Sequence, residues 1–253
     1  MVIDCSWDCC GGGDYCDLVE EMSDKFNCLL VGESGTGKSP LCGTLEHCEQ
    51  TSPCLLLDVD MGSMSIIEKP LPSIIEIDSW HKVQSIYALL KKQDWKKLAE
   101  LTGREAEYKS VVIDSGTELE YMLRSSIVGE TGGEVPEQQH YLKTQERFRR
   151  LYRAFRDLPM SFVMTAGVRE LKDDVAGIVR HFPAFQPALA KDLIRMTDLI
   201  LFQDVKVEEK EWVRTLQTTL SQRIIARDRS QKLESIIKGK KLYFADIARK
   251  VLS

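Results

Sequence analysis

A chain of 253 residues with 34 Lys and Arg against 39 Asp and Glu, a formal net charge of −5, is long enough to bury one α/β core and too acidic overall for a free-standing basic nucleic-acid binder. Its residues are 43% hydrophobic, yet no apolar run approaches the length of a membrane span, which predicts a soluble protein with no membrane partner. The acidic start, with Asp4 and Asp8, lacks the basic flank and apolar segment of a signal peptide, so a cytoplasmic location is expected.

All eight cysteines fall before residue 55. Cys5, Cys9, Cys10 and Cys16 surround Gly11-Gly12-Gly13 in a C-x3-C-C-x5-C spacing. That is not a paired C-x-x-C zinc pattern, and a thiol-bearing tail, kept reduced, is the simpler reading. Residues 1–22 are therefore expected to form a Cys-rich extension, and residues 23–253, which show no linker, repeat or low-complexity break, a single domain. Leu18 to Phe26 reads as a short polar helix or turn that delivers the first strand.

The apolar run Cys28-Leu29-Leu30-Val31 then enters Gly32-Glu33-Ser34-Gly35-Thr36-Gly37-Lys38-Ser39, which fills every fixed position of the GxxxxGK[ST] phosphate loop. Positive φ angles at Gly32, Gly35 and Gly37 would let successive N–H groups converge on a phosphate oxygen. Lys38 would reach the β- and γ-phosphates of a nucleotide, and the Ser39 hydroxyl would ligate Mg²⁺. Pro40 stands in the first turn of the helix that follows, where its missing N–H costs no intrahelical bond. Leu41, Cys42, Leu45 and Cys48 recur at helical spacing and predict one face on a sheet.

Cys54-Leu55-Leu56-Leu57 is an uninterrupted apolar run, as in a strand buried on both faces, and it ends in Asp58-Val59-Asp60. Carboxylates at the C-terminal end of a parallel strand face the ligand side of an open sheet. Asp58 or Asp60 can polarise an attacking water, or one of them can cap the turn into Met61-Gly62; the local pattern leaves both roles open. A strand follows at Ile74 to Asp78, then a helix from Trp80 through Leu90 with Val83, Ile86, Leu89 and Leu90 on one side. Val111-Val112-Ile113-Asp114-Ser115 has the form of a Walker B segment, whose Asp114 would hold the Mg²⁺ bound at Ser39.

Residues 129–139 are rich in Gly, Glu and Pro and read as an exposed loop. The helix after it carries Phe148, Leu151, Tyr152 and Phe155 on one face and Arg149, Arg150, Arg153 and Arg156 on the others, a solvated stripe or a surface for DNA or a second subunit. Ser161 to Met164 is another buried strand, delivering Thr165 to the same sheet edge as Asp60 and Asp114, to sense the γ-phosphate or to bond the backbone. Residues 169–190 show few regular signals. From Tyr141 to Arg195 there are eleven Lys and Arg against six Asp and Glu, the most basic stretch and the expected place for any nucleic acid. Helix and strand signals return from Leu193 to Phe202, followed by β-like runs at Trp212 to Leu216 and Arg223 to Ala226, and then Arg227-Asp228-Arg229.

The motifs GESGTGKS, LLLDVDMGSMSI, VVIDSGTELE, VPEQQ, LYRAFRDLPMSFVMTAGVRELKD, IARDRSQKL and FADI together resemble those of the phage nucleotide-binding ATPases of the AAA/RecA-like P-loop superfamily, a group that includes phage recombination and single-strand-annealing-associated ATPases. The resemblance runs from about Asn27 to Ile247 and implies a RecA-like α/β fold, a mostly parallel central sheet with helices on both faces. It implies that the strand ending at Thr165 lies between the phosphate-loop strand and the Walker B strand. It also places Asp60 where RecA-like enzymes commonly carry a catalytic Glu. Arg227 and Arg229 are similar to the K-x-R element that hexameric RecA-like helicases insert into a neighbour's site, so hydrolysis is expected to need a ring or filament of identical chains. The segments after Ser115 and Thr165 would be the DNA-facing loops.

The expected protein is thus an oligomeric, Mg²⁺-dependent ATPase acting on single-stranded DNA or on phage recombination or replication proteins, in the host cytoplasm. Its catalytic set would be Lys38, Asp60, Asp114, Thr165, Arg227 and Arg229. Two alternatives stay open: a nucleotide-gated switch with little hydrolysis, and a protein-remodelling module without DNA contact.

Overall fold

A computed structural model describes residues 25–173 and 177–253. The cysteines at positions 5, 9, 10 and 16, most of the Leu18 to Phe26 segment and the expected boundary after residue 22 lie outside the described residues.

The first strand, β1 (Asn27–Gly32), is buried along its whole length, as are β2 (Cys54–Asp58), β4 (Ser110–Asp114) and β5 (Ser161–Ala166). β3 (Ser73–Glu76) and β8 (Leu199–Glu208) complete a parallel set in the order β3-β2-β4-β5-β1-β8. β5 therefore separates β1 from β4, the arrangement expected from the sequence. Beyond β8 the sheet turns antiparallel through β9 (Glu211–Gln217), with the two-residue β10 (Arg227–Asp228) also on β8, and it closes with β11 (Ile236–Gly239) on β9.

Because side chains alternate across a strand, each continuous apolar run feeds two cores. Leu29, Val31, Leu55, Leu57, Val111, Ile113, Phe162, Met164, Ile200 and Phe202 enter one core. It is covered by α2 (Trp80–Lys92), α3 (Trp95–Thr102), α4 (Gly116–Glu130), α5 (Gln138–Arg156) and α6 (Pro187–Met196), the helices numbered after the short α1 (Lys38–Gly43). Cys28, Leu30, Cys54, Leu56, Val112, Val163, Leu199 and Leu201 enter the other, covered by α1 and α7 (Phe244–Leu252). Helices thus lie on both faces of the sheet.

α2 starts at Ser79, whose hydroxyl accepts from the Lys82 amide, and ends at Gln93 in the left-handed conformation, with Lys91 and Lys92 in the last turn. α5 buries Phe148, Leu151, Tyr152 and Phe155. Phe155 and Tyr152 pack on Phe162 of β5 with ring centroids 5.6 and 5.3 Å apart. Of the arginines on its other faces, Arg149 pairs with Asp192, Arg150 with Glu146 and Arg156 with Asp157, while Arg153 lies against Met196. That stripe is largely neutralised by its own chain.

Three local readings of the sequence need correction. The helix after the phosphate loop is short: α1 gives way to a 3₁₀ turn at Thr44–His47, and Cys48 stands beyond it, buried. Residues 169–190 are regular, since β6 (Val168–Asp173) and β7 (Ile178–Pro183) form a separate antiparallel hairpin that runs on to α6. Their alternation is muted because much of the hairpin is exposed or only partly buried and carries polar residues. Arg223 to Ala226 is not a strand; Ile224 makes one isolated bridge to His181 and the neighbouring turn is tied by Ser221.

Cys28, Cys42, Cys48 and Cys54 are free and buried, and burial pushes the Cys54 thiol up to about 12, which keeps it protonated and inert at neutral pH. Among the described residues no helix is long and apolar enough to cross a membrane.

Candidate functional site

Parallel pairing brings the C-terminal ends of the central strands to one edge. Asp58 pairs with Asp114, Ile113 with Met164, Leu30 with Thr165, and Gly32 with Gln203. The loop Gly32 to Ser39 leaves the sheet at this edge and turns into α1.

Two of its glycines hold left-handed backbone, Gly35 with φ 79° and Gly37 with φ 96°. Gly32 serves a different need: a Cβ there would lie 2.6 Å from the Gln203 carbonyl oxygen of β8 and 3.0 Å from Thr36 Oγ1. The positive φ expected at Gly32 is replaced by a requirement for close strand approach. Replacing Gly32 by Ala is expected to cost about 1–3 kcal/mol, because the obstacle is backbone and cannot rotate away. A urea midpoint equal to that of the wild type would refute this reading.

The loop is closed internally by Thr36, whose hydroxyl donates to the Glu33 carbonyl at 2.9 Å, and by Gln203 Nε2, which donates to the Thr36 carbonyl at 3.0 Å. Gly37 stands at the start of α1 and supplies no side-chain cap to its first amides. Lys38 folds back along the loop, its Nζ donating to the carbonyls of Gly32 and Glu33, both at 2.9 Å. Burial holds this ammonium below the usual lysine value, opposed chiefly by the negative charge of Asp114, with Asp60 and Glu33 adding to it.

Asp114 is buried at the end of β4, accepts a hydrogen bond from the Thr165 hydroxyl, and has the Ser39 hydroxyl near enough to favour its ionised form. Burial raises its carboxyl above the usual value; the two hydroxyls act in the opposite direction, Asp60 adds to the rise, and Lys38 offsets part of it. The Thr165 hydroxyl, fully buried, is thus spent on the Asp114 side chain and not on the backbone.

The two carboxylates after β2 separate cleanly. Asp58 is buried and its oxygens accept from the amides of Gly62 and Ser63, each at 3.0 Å, so it caps the turn. Asp60 is exposed; its Oδ1 lies 2.9 Å and Ser39 Oγ 3.8 Å from one point, the position of a Cβ on Gly62. Asp60 is therefore the carboxylate that faces the phosphate loop. A hydroxyl and two carboxylates form an all-oxygen donor set that fits a hard cation such as Mg²⁺, which takes few protein ligands.

Arg227 and Arg229 lie elsewhere. β10 pairs with the start of β8, Arg227 opposite Ile200, at the end of the sheet away from the loop. The Arg227 guanidinium donates to the carbonyls of Ile194 and Thr197, and burial holds it below the usual arginine value, with Arg229 adding to the shift. Arg229 pairs with Asp198 at 2.5 Å and donates to the Arg195 carbonyl at 3.1 Å. At the loop itself the structure brings Arg214 of β9, whose Nε lies 3.2 Å from the position of a Cβ on Gly37. Nothing in the sequence distinguishes Arg214 from other charged residues of a half-exposed strand.

Residues 24–230 of this chain match the protein family described as "AAA domain". No curated protein matches the chain. Among solved structures, a KaiC-like protein, PH0186, from Pyrococcus horikoshii OT3 is 12% identical, with 76% of this chain and 77% of that one covered and a TM-score of 0.40. The flagellar accessory protein FlaH from Methanocaldococcus jannaschii is 12% identical, with 84% of both chains covered and a TM-score of 0.44.

Proposed function

Since this chain belongs to the AAA-domain family, we propose that it is a Mg²⁺-dependent ATPase of phage type that works as a homo-oligomer on single-stranded DNA. The observation that carries the catalytic part is the convergence of Lys38, Ser39, Asp60, Asp114 and Thr165 on one loop at the C-terminal edge of the sheet.

In this reading the loop amides from Gly32 to Ser39, with Glu33, Ser34, Gly35, Thr36 and Gly37 between, cradle the phosphates, and Lys38 neutralises their charge. Ser39 and Asp114 hold Mg²⁺, which when bound draws charge from the phosphate oxygens. Thr165 fixes the Asp114 carboxylate by its hydrogen bond, and Asp60, exposed on the same side, orients the attacking water. Arg227 and Arg229 complete the site of a neighbouring copy, a role that requires both to leave the carbonyls and the Asp198 carboxylate that hold them.

The DNA part is supported by a groove of about 840 Å³ between α4, the start of β6 and the segment before α6. Tyr121 and Tyr141 are exposed there, and the Arg124 guanidinium lies 4.6 Å from the first ring centroid and 5.2 Å from the second. Aromatic faces beside arginine suit the stacking of unpaired bases. Arg169 lines the same groove.

The test is ATP hydrolysis measured across protein concentration with and without single-stranded DNA. Turnover per chain is expected to rise with both. Turnover independent of concentration would remove the shared site, and turnover indifferent to DNA would remove the DNA substrate.

A further inference from the structure

Glu120 and Arg124 stand one turn apart on α4, on a face that meets the segment leading into α6. That segment is pinned from two sides. The Phe185 ring is buried against Phe148, with 5.6 Å between centroids, and the Ala184 amide donates to the Gly167 carbonyl at 2.9 Å. Gln186 is thereby held against Glu120, and its backbone amide donates to Glu120 Oε2 at 3.3 Å.

Glu120 is 4% exposed. Its second oxygen, Oε1, has no hydrogen-bond partner among the described residues, since Arg124 Nη1 stays 3.6 Å away. The side-chain Nε2 of Gln186 is buried and has no hydrogen-bond partner among them either. Burial raises the Glu120 carboxyl above the usual carboxylate value, and the nearby Gln186 amide and the Arg124 charge oppose that rise. A buried oxygen left without a donor and a buried amide left without an acceptor are each costly. Both residues line the groove of about 840 Å³ in which Arg124 lies against the rings of Tyr121 and Tyr141.

The order of the groups follows from the same contacts. Oε2 faces Gln186 and Oε1 faces Arg124, so the carboxylate stands between two donors. A donor-acceptor-donor row is complemented by an acceptor-donor-acceptor row, and that is the pairing edge of thymine, with O4, N3–H and O2. Guanine matches the first two places and sets a donor where the third acceptor belongs. Cytosine and adenine bring a ring-nitrogen lone pair against the carboxylate, a repulsive contact.

We propose that this groove reads thymine on a single strand: a base stacked on the tyrosines gives its N3–H to Glu120, and Arg124 and Gln186 donate to its two carbonyl oxygens. The proposal deepens the single-stranded DNA reading and rests on it. It turns a surface that would hold any unpaired base into one that selects among them, through the base edge and not the backbone.

The test is fluorescence anisotropy of the full chain with labelled oligo(dT), oligo(dU) and oligo(dC) of one length at one salt concentration, for the wild type, Glu120→Gln and Gln186→Met. The wild type is expected to bind oligo(dT) and oligo(dU) at least about tenfold more tightly than oligo(dC), the scale of one correctly matched base. Glu120→Gln keeps the shape of the side chain, and its amide can turn to suit either base, so the preference is expected to vanish. Gln186→Met removes one donor from a helix start that it does not cap, and is expected to weaken oligo(dT) more than oligo(dC) with an unchanged melting transition. Equal wild-type affinities, or a preference kept in Glu120→Gln, would overturn the base reading. So would a loss shared equally by all three strands in the variants, which marks a structural role, or tight binding of oligo(dT) without oligo(dU), which moves the choice to the methyl group. Failure of the wild type to bind any of the three would strike the single-stranded DNA reading itself.

Discussion

Replacing Lys38 by Ala is expected to lower ATP turnover by at least about a hundredfold, the scale seen when one preorganised charge-stabilising donor is removed from an active site. Among the described residues the ammonium bonds only to the carbonyls of Gly32 and Glu33, at 2.9 Å each, and it enters neither core. The fold should therefore persist, with a melting transition as cooperative as that of the wild type. Burial holds Lys38 below the usual lysine value, and the negative charge of a bound polyphosphate would favour its protonated form. Measured turnover near the wild-type rate in a folded Lys38→Ala protein would sink the assignment of this loop.

The second large effect belongs to Asp114. Asp114→Asn is expected to reduce Mg²⁺-supported turnover by about a hundredfold or more, since an amide oxygen is a far poorer partner for a hard cation than a carboxylate. The nucleotide-free protein should be no less stable. An Asn carbonyl oxygen can still accept from the Thr165 hydroxyl, and the substitution removes a negative charge from a buried position near Asp60. The two readouts move apart: turnover across a Mg²⁺ series falls, while the urea midpoint without nucleotide holds or rises. A parallel loss of both would mark Asp114 as structural.

The sequence was most legible where chemistry and periodicity agree. Cys28 to Val31, Cys54 to Leu57, Val111 to Ile113 and Ser161 to Met164 read as buried strands because each is apolar on both faces, and each feeds both cores. The order of those strands came from the family likeness and is present in the pairing of β5 with β1 and β4. The choice between Asp58 and Asp60 was not legible, since both stand at the same strand end; it depends on which one the turn amides of Gly62 and Ser63 reach. The β6–β7 hairpin was missed because a partly exposed ladder gives weak alternation. Arg227 and Arg229 read as a free pair in the sequence, whereas the carbonyls that hold them come from residues about thirty positions earlier, Ile194, Arg195 and Thr197, and no local pattern announces such contacts. Arg214 and Gln203 were invisible for the same reason.

The close approach of Gly32 to the Gln203 carbonyl changes how much information the glycine-lysine signature carries. One of its letters is written by the neighbouring strand and would be demanded even if no anion ever visited the loop. Gly35 and Gly37 encode the path of the chain, and Lys38 and Ser39 alone are free to encode chemistry. A damaged loop that keeps its glycines but loses Lys38 would still be recognised as this fold, and a search that weights all the letters equally would count it as an enzyme.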